Sequence, residues 1–288
     1  MSIISILLFH VETDQISAVL GDSGKLYVSE DCVSVYRELL PLATIITPNW
    51  FEVEYVFFVT PSTSITDGGQ PARVLTDISL TDITSLRAAL RKLHDLYHVP
   101  NVVISSIPLT KLSASVPSYL LPLQSINGST REEQSYLICI ASSVDDNGNF
   151  GGCPLSTVYA GCVELLPGYF SGVGDLFSAL LLGHYNTPQG SALAPFSNAS
   201  KSYSPLAHAA SHSLSRTHGI LTLTHESAST LSLPLTDDEL DSREPERISR
   251  RMKGRELRIV QGQDMFRRKE WDGVAKMRVW EEFWGDSS

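Results

Sequence analysis

Gly172-Val173-Gly174-Asp175 runs straight into Leu-Phe-Ser-Ala-Leu-Leu-Leu at 176–182, a glycine turn that opens an apolar helix with a carboxylate in its first turn. Glycines at 172 and 174 let the backbone turn tightly and expose its N–H groups. The unpaired N–H groups and dipole of the helix start then add positive potential where an anion can sit. A carboxylate beside bound phosphate is electrostatically awkward unless it accepts a proton, so Asp175 is a candidate base toward an attacking hydroxyl. A turn glycine followed by a helix-capping acid accounts for the same residues, and a short glycine motif by itself does not separate the two readings.

Outward from this turn, apolar β-rich runs at 16–20, 43–47, 101–105 and 136–142 alternate with helix-spaced segments at 30–40, 81–97, 175–185 and 205–223. Alternation of this kind implies crossover connections and a mostly parallel sheet covered by helices. In such sheets ligands gather at the carboxyl ends of the strands. Residues 47–52, 105–106 and 172–175 each follow an expected strand, so three motifs should meet at one edge.

The other candidates each have a rival. Asp22, in Gly21-Asp22-Ser-Gly, offers the hard oxygen a divalent cation wants, but the same four residues are ordinary turn chemistry. Asn49 and Glu52, three apart, share one face of a helix start and could hold a metal-bound water or phosphate; helix capping by Asn49 is the alternative. Ser105 and Ser106 are donors for a phosphate or a cation, or plain strand-end residues. His208 and His212 have metal-ligand spacing on a helix, yet no Glu lies between them and no third ligand is evident, which favours a partly exposed helix face.

Composition fits a soluble enzyme. The 288 residues, 42% hydrophobic, suffice for one large α/β domain or two small ones. A net charge of −10 argues against a nucleic-acid surface. The one basic cluster, at 243–258, adjoins Asp237, Asp238, Glu239 and Asp241, so 234–254 reads as a solvated, flexible linker. Cys32, Cys139, Cys153 and Cys162 lack zinc-ligand spacing and read as free thiols in a reducing compartment. The apolar run 3–9 is short and has no basic flank before it, so neither a signal peptide nor a membrane span is expected and the cytoplasm is the default location.

Gly-x-Gly-Asp at a helix start resembles the signature of the ribokinase-like superfamily. Three further segments in matching order narrow the resemblance to pyridoxal kinase: Gly21-Asp22-Ser-Gly-Lys-Leu-Tyr27-Val28, Thr47-Pro48-Asn49-Trp-Phe-Glu52 and Val102-Val-Ile-Ser105-Ser106. Arg255-Glu-Leu-Arg-Ile-Val260 is similar to the family's last strand, so the likeness runs from about residue 16 to the C-terminus. It implies a three-layer α/β/α fold over residues 1–288 and transfer of the ATP γ-phosphoryl group to the 5′-hydroxymethyl of pyridoxal. Asp175 would be the base, with Gly172, Val173 and Gly174 as the anion hole. Asn49, Glu52, Ser105 and Ser106 would contact ATP, Tyr27 would lie in a flap over it, and Asp22, Thr47 and Glu52 would place Mg²⁺. A monovalent cation, K⁺ or Na⁺, and a homodimer are also consistent with the resemblance. A non-catalytic relative keeping the nucleotide half, or a hydroxymethylpyrimidine-type kinase, are the alternatives.

The chain departs from that pattern in four places. Only residues 1–15 precede the first recognisable segment, where the family carries a portion of roughly a hundred residues that forms most of the pyridoxal pocket, so the fold is expected to be N-terminally incomplete. The family's Asp-Pro before the flap is Ser17-Ala18, and its Gly-Thr-Gly-Asp has Val173 for Thr, which keeps the amide and loses a hydroxyl. Residues 55–73 form an insertion whose second half, rich in Ser, Thr, Gly and Pro, reads as a surface loop. A gene with a misassigned start and a retained intron would explain both the short N-terminus and the insertion. Transcript reads that skip codons 55–73 are the expected result, and reads supporting continuous translation through them would overturn the explanation.

Overall fold

The computed structural model describes residues 15–16, 20–22, 25–29, 31–58, 80–112, 115–121, 135–144, 156–185, 204–234, 238–268 and 276–285. The chain opens with β1 (Gln15–Ile16) and a small hairpin of β2 (Gly21–Asp22) and β3 (Lys25–Leu26), then α1 (Asp31–Leu39), β4 (Ile45–Ile46) and α2 (Trp50–Phe58). α3 (Ile83–Arg91), lengthened by a π turn over Lys92–Leu96, leads into β5 (Asn101–Pro108), β6 (Tyr136–Ser143) and β7 (Thr157–Glu164). α4 (Val173–Tyr185), α5 (Pro205–Ser229), α6 (Asp238–Arg243), α7 (Pro245–Gly254), α8 (Gln263–Arg267) and β8 (Arg278–Val279) follow.

The main sheet has the order β1-β4-β5-β6-β7-β8, and both of its faces are covered. Ile46, Val102, Ile104, Ile138, Ile140, Val158 and Ala160 point to a core completed by Val33, Val53, Leu86 and Leu90 of α1–α3. Their alternates Ile45, Val103, Cys139, Ala141 and Tyr159 point the other way, against Phe177 and Leu181 of α4 and Leu206, Ala210 and Leu214 of α5. This period-two split is the three-layer arrangement in residue terms. Among the described residues Cys32, Cys139 and Cys162 are free thiols, Cys139 fully buried and Cys162 pushed up to about 11 by burial. Cys153 lies outside the described residues.

The sheet is mixed rather than mostly parallel. β1–β4 and β4–β5 pair in parallel, whereas β5–β6, β6–β7 and β7–β8 are antiparallel. Parallel neighbours need a crossover, and α1 to α3 supply it for the first two pairs; no described helix longer than one 3₁₀ turn lies between β5 and β6, and none between β6 and β7. β7 and β8 do not stand out as periodic runs, although the apolar 158–163 stretch fits a strand buried on both faces.

Residues 255–260, expected as the last strand, are turns. Arg255 N–H donates to the Arg251 carbonyl, Ile259 N–H to Leu257 and Gly262 N–H to Arg258, while Arg258 N–H donates to Thr224 Oγ1 of α5 at 3.0 Å, so these groups are satisfied without a ladder partner. The last strand is β8 instead. The expected linker 234–254 contains α6 and α7, where Asp241, 6% exposed, pairs with Arg247 at 3.2 Å and with Arg251 at 2.5 Å. Charge that reads as solvated in sequence is thus partly consumed by one buried carboxylate. Of the expected insertion 55–73, residues 55–58 finish α2 and the rest lies outside the described residues.

α4 packs along α5, and the contact includes three histidines. The His184 ring stacks on His212 at 4.8 Å between centroids, and His212 Nε2 lies 3.1 Å from His208 Nε2. Arg216, 1% exposed, donates from Nη1 to His212 Nδ1 at 2.6 Å and from Nε and Nη2 to the carbonyls of Met265 and Arg268. A guanidinium only donates, so Nδ1 of His212 must accept and the ring proton sits on Nε2, directed at His208. That proton occupies the lone pair a metal would need, and among the described residues no group of three or more His, Cys, Asp or Glu is set to hold one.

Burial first, and then the neighbouring Arg216 and histidines, push His184 and His212 down to about 4. The unfolded chain takes up these protons near pH 6.5, while the folded chain refuses them until about 4. The stability contributed by the neutral rings is therefore complete above about pH 6.5 and is lost as the pH falls toward 4. Thermal melts across that window should show a falling Tm, and His184→Phe, which keeps a stacking ring and removes a titrating one, should flatten the fall. A slope unchanged in His184→Phe would exclude this ring as a cause.

Candidate active site

The direction of the strands decides which loops meet. β4 and β5 run together, and β7, being antiparallel to β6, runs the same way as β5. The carboxyl ends of β4, β5 and β7 consequently open at one edge, the position where α/β sheets bind ligands. Thr47 follows β4, Ser105 and Ser106 lie toward the end of β5, and the loop after Glu164 leads to Gly172. The mixed sheet therefore still sends the three motif-bearing segments off one edge, because the chain reverses into β6 and again into β7.

Hydrogen bonds tie these segments together. β5 bulges between Ile104 and Ile107, so Ser105 and Ser106 leave the ladder register. The Ser105 N–H donates instead to the Pro48 carbonyl at 3.1 Å. Thr47, 6% exposed, places its Oγ1 2.9 Å from Oγ of Ser178, one and a half turns into α4. The hydroxyl pair thereby holds the first half of α4 against the end of β4.

At the start of α2, Asn49 and Glu52 form a capping box. Glu52 N–H donates to Asn49 Oδ1 at 2.8 Å, and Asn49 N–H donates to Glu52 Oε2 at 2.9 Å. Glu52 Oε1 accepts from Leu20 N–H at 2.8 Å, and Asn49 Nδ2 donates to the Gly21 carbonyl at 2.9 Å. Asn49 thus has the capping role weighed against a ligand role in the sequence, and both side chains also reach the β2–β3 hairpin. Tyr27, whose N–H donates to the Leu20 carbonyl at the base of that hairpin, is 51% exposed.

The glycine turn leads into α4. Gly172, with φ +83°, is in a conformation that L side chains avoid, and its carbonyl accepts from Leu176 N–H as α4 begins at Val173. Gly174 and Asp175 are exposed, and a Cβ built at Gly174 would meet nothing within 4 Å. The first turn of this 13-residue helix, with Asp175 in it, is therefore exposed at the helix's positive end. Leu257 closes the turn from one side, 3.8 Å from where a Cβ of Gly172 would stand, and the guanidinium of Arg255 covers Gly168. Sequence reading misses Ser178, Leu257 and Arg255; their signal is tertiary, since nothing in a helix interior or a turn marks a residue that packs against a glycine loop far away in sequence.

Two of the three oxygen donors suggested for Mg²⁺ fit a metal poorly. Thr47 spends its hydroxyl on Ser178, and Glu52, 3% exposed, has each oxygen on a backbone N–H. The Asp22 side chain lies outside the described residues. Thr47→Val should cost about 0.5–1.5 kcal/mol. A double-mutant cycle with Ser178→Ala, followed by chemical denaturation, should show the two losses to be less than additive. Strict additivity would mean that the hydroxyls do not interact.

No family profile matches the chain. It is 31% identical over 166 residues to a Schizosaccharomyces pombe protein named as a pyridoxal kinase, an alignment covering 58% of this chain and 38% of that one. It is also 31% identical over 169 residues to the pyridoxal kinase of Arabidopsis thaliana, covering 58% and 39%. The chain thus spans less than two fifths of the length of these curated relatives. The pyridoxal kinase from Leishmania donovani, solved with ADP and pyridoxamine, superposes with a TM-score of 0.57 over 92% of this chain and 61% of that chain, at 22% identity. That likeness is one of fold and makes the arrangement described above ribokinase-like. In its sequence and in the path of its backbone, the chain resembles the pyridoxal kinases, the fungal ones among them.

Proposed function

We propose that this chain carries the phosphate-handling half of an ATP-dependent kinase that phosphorylates the 5′-hydroxymethyl group of pyridoxal and related vitamers. The observation that supports it most is the common direction of β4, β5 and β7, which sends the segments bearing Ser105 and the exposed Asp175 off one edge of the sheet. Support comes from the relatives: the Arabidopsis protein is named pyridoxal kinase, and the Leishmania enzyme is solved with ADP and pyridoxamine.

In this reading Asp175 accepts the proton of the attacking hydroxyl, while the amides of residues 172–174 and the α4 dipole stabilise the charge that spreads over the transferring phosphoryl group. Ser105 and Ser106, freed from the ladder by the bulge, donate to the nucleotide phosphates. Tyr27 and its hairpin cover the site and exclude water. Among the described residues no helix is long and apolar enough to cross a membrane; a cytoplasmic location is part of the proposal. A homodimer is the assembly to test by light scattering.

Two departures weaken the phosphate side. Ser17 stands where a carboxylate is usual, and Val173 lacks a hydroxyl. A hydrogen bond to a charged group is worth about 1.5–3 kcal/mol, so without these two ATP affinity should fall by roughly a hundred-fold or more. Steady-state assays should show weak turnover that Asp175→Asn lowers by a further factor of about 10² to 10⁴. Ser17→Asp combined with Val173→Thr should tighten ATP binding. Turnover typical of a good kinase and unchanged in Asp175→Asn would reject both the assigned base and the impairment.

A further inference from the structure

Leu20 is held from both sides. Its N–H donates to Glu52 Oε1 at 2.8 Å, and its carbonyl accepts from Tyr27 N–H at 2.8 Å, the rung that closes the β2–β3 hairpin below the Gly21–Leu26 and Asp22–Lys25 pairs. The next carbonyl, of Gly21, accepts from Asn49 Nδ2 at 2.9 Å. Leu20 is fully buried, and Glu52 is 3% exposed. Two neighbouring backbone groups of the hairpin base are thus bound to side chains of one capping box, which in turn is fixed to the first turn of α2 by its own reciprocal bonds at 2.8 and 2.9 Å.

From this geometry we propose that Asn49 and Glu52 are positioning residues that anchor the hairpin to α2, and that Glu52 is not a metal ligand. A divalent cation needs carboxylate oxygens it can reach and share with water. Glu52 presents neither: each oxygen is directed at a main-chain N–H, and the carboxylate is withdrawn from solvent. Its charge strengthens those two bonds, as an ionised acceptor does. Anchoring both backbone groups at Leu20–Gly21 fixes the base of the hairpin while Tyr27, 51% exposed, stays at the surface. Any consequence of this anchor for turnover rests on the kinase reading, but the anchoring does not.

Hydrogen exchange on the full chain tests the anchor without turnover. Glu52→Gln removes the charge and one acceptor oxygen at constant shape, and Asn49→Ala removes the bond to Gly21 while leaving the Glu52 carboxylate. Amides in peptides covering 20–28 should exchange about ten-fold faster or more in both variants, with β5, β6 and α4 peptides unchanged. Calorimetric titration with Mg²⁺ in the presence of ADP should show the same metal affinity in wild type and Glu52→Gln. Unchanged exchange at 20–28 in Asn49→Ala overturns the anchor, even if Glu52→Gln fails to fold. A loss of Mg²⁺ affinity of about ten-fold in Glu52→Gln with normal hairpin exchange would make Glu52 a ligand. A wild-type chain without kinase activity would refute the proposed function and leave the exchange result standing.

Discussion

A sheet buried on both faces is the constraint from which the site follows. Val102 and Ile104 belong to one core and Val103 to the other, so slipping β5 by a single residue would exchange every side chain between the two helix layers. Register is therefore rigid up to Ile104. Beyond it, the chain inserts a residue so that Ile107 can return to the same core as Ile104, and the cost of that correction is a ladder interrupted at Ser105 and Ser106. The N–H released there finds the Pro48 carbonyl. A packing requirement in the core thus produces the contact that joins two of the three motifs.

The carboxylates at this edge occupy opposite environments. Glu52 is buried with each oxygen on a main-chain N–H, which makes it a strut, whereas Asp175 is exposed at the positive end of α4. Chemistry requires a group that can change partner during the reaction, and only the second can do so without breaking structure. The hydroxyls divide in the same way, Thr47 being tied to Ser178 while Ser105 and Ser106 stand at a bulge. Residue type alone does not separate struts from donors; burial and partner do.

Remote segments contribute by closing the glycine turn. Leu257 lies against Gly172, and Arg255 covers Gly168, so the stretch that reads as a strand serves as a wall for the loop entering α4. On the other flank, Arg216 ties α5 to the carbonyls of Met265 and Arg268 and, through His212, to the His184 ring of α4. α4 is braced along both its halves, by Thr47 near its start and by this neutral histidine stack near its end.

Local chemistry makes much of this legible in the sequence. Apolar periodicity locates β4, β5, β6, α1, α3, α4 and α5, because burial of a strand or helix face imprints its own period on the chain. The glycine turn at 172 and the capping spacing of Asn49 and Glu52 are readable for the same reason, since their partners lie within four residues. What the sequence does not determine depends on partners far along the chain. Strand direction beyond β5 differs from the parallel expectation, because a strand buried on both faces shows the same apolar run whether its neighbour is parallel or antiparallel. The turns at 255–260 and the ion pairs of Asp241 are hidden because residue identity does not show which backbone group or charge satisfies another until the chain has folded back. Whether a carboxylate binds a metal or holds a hairpin is decided the same way: Glu52 acquires its role only when Leu20, 32 residues away, arrives beside it.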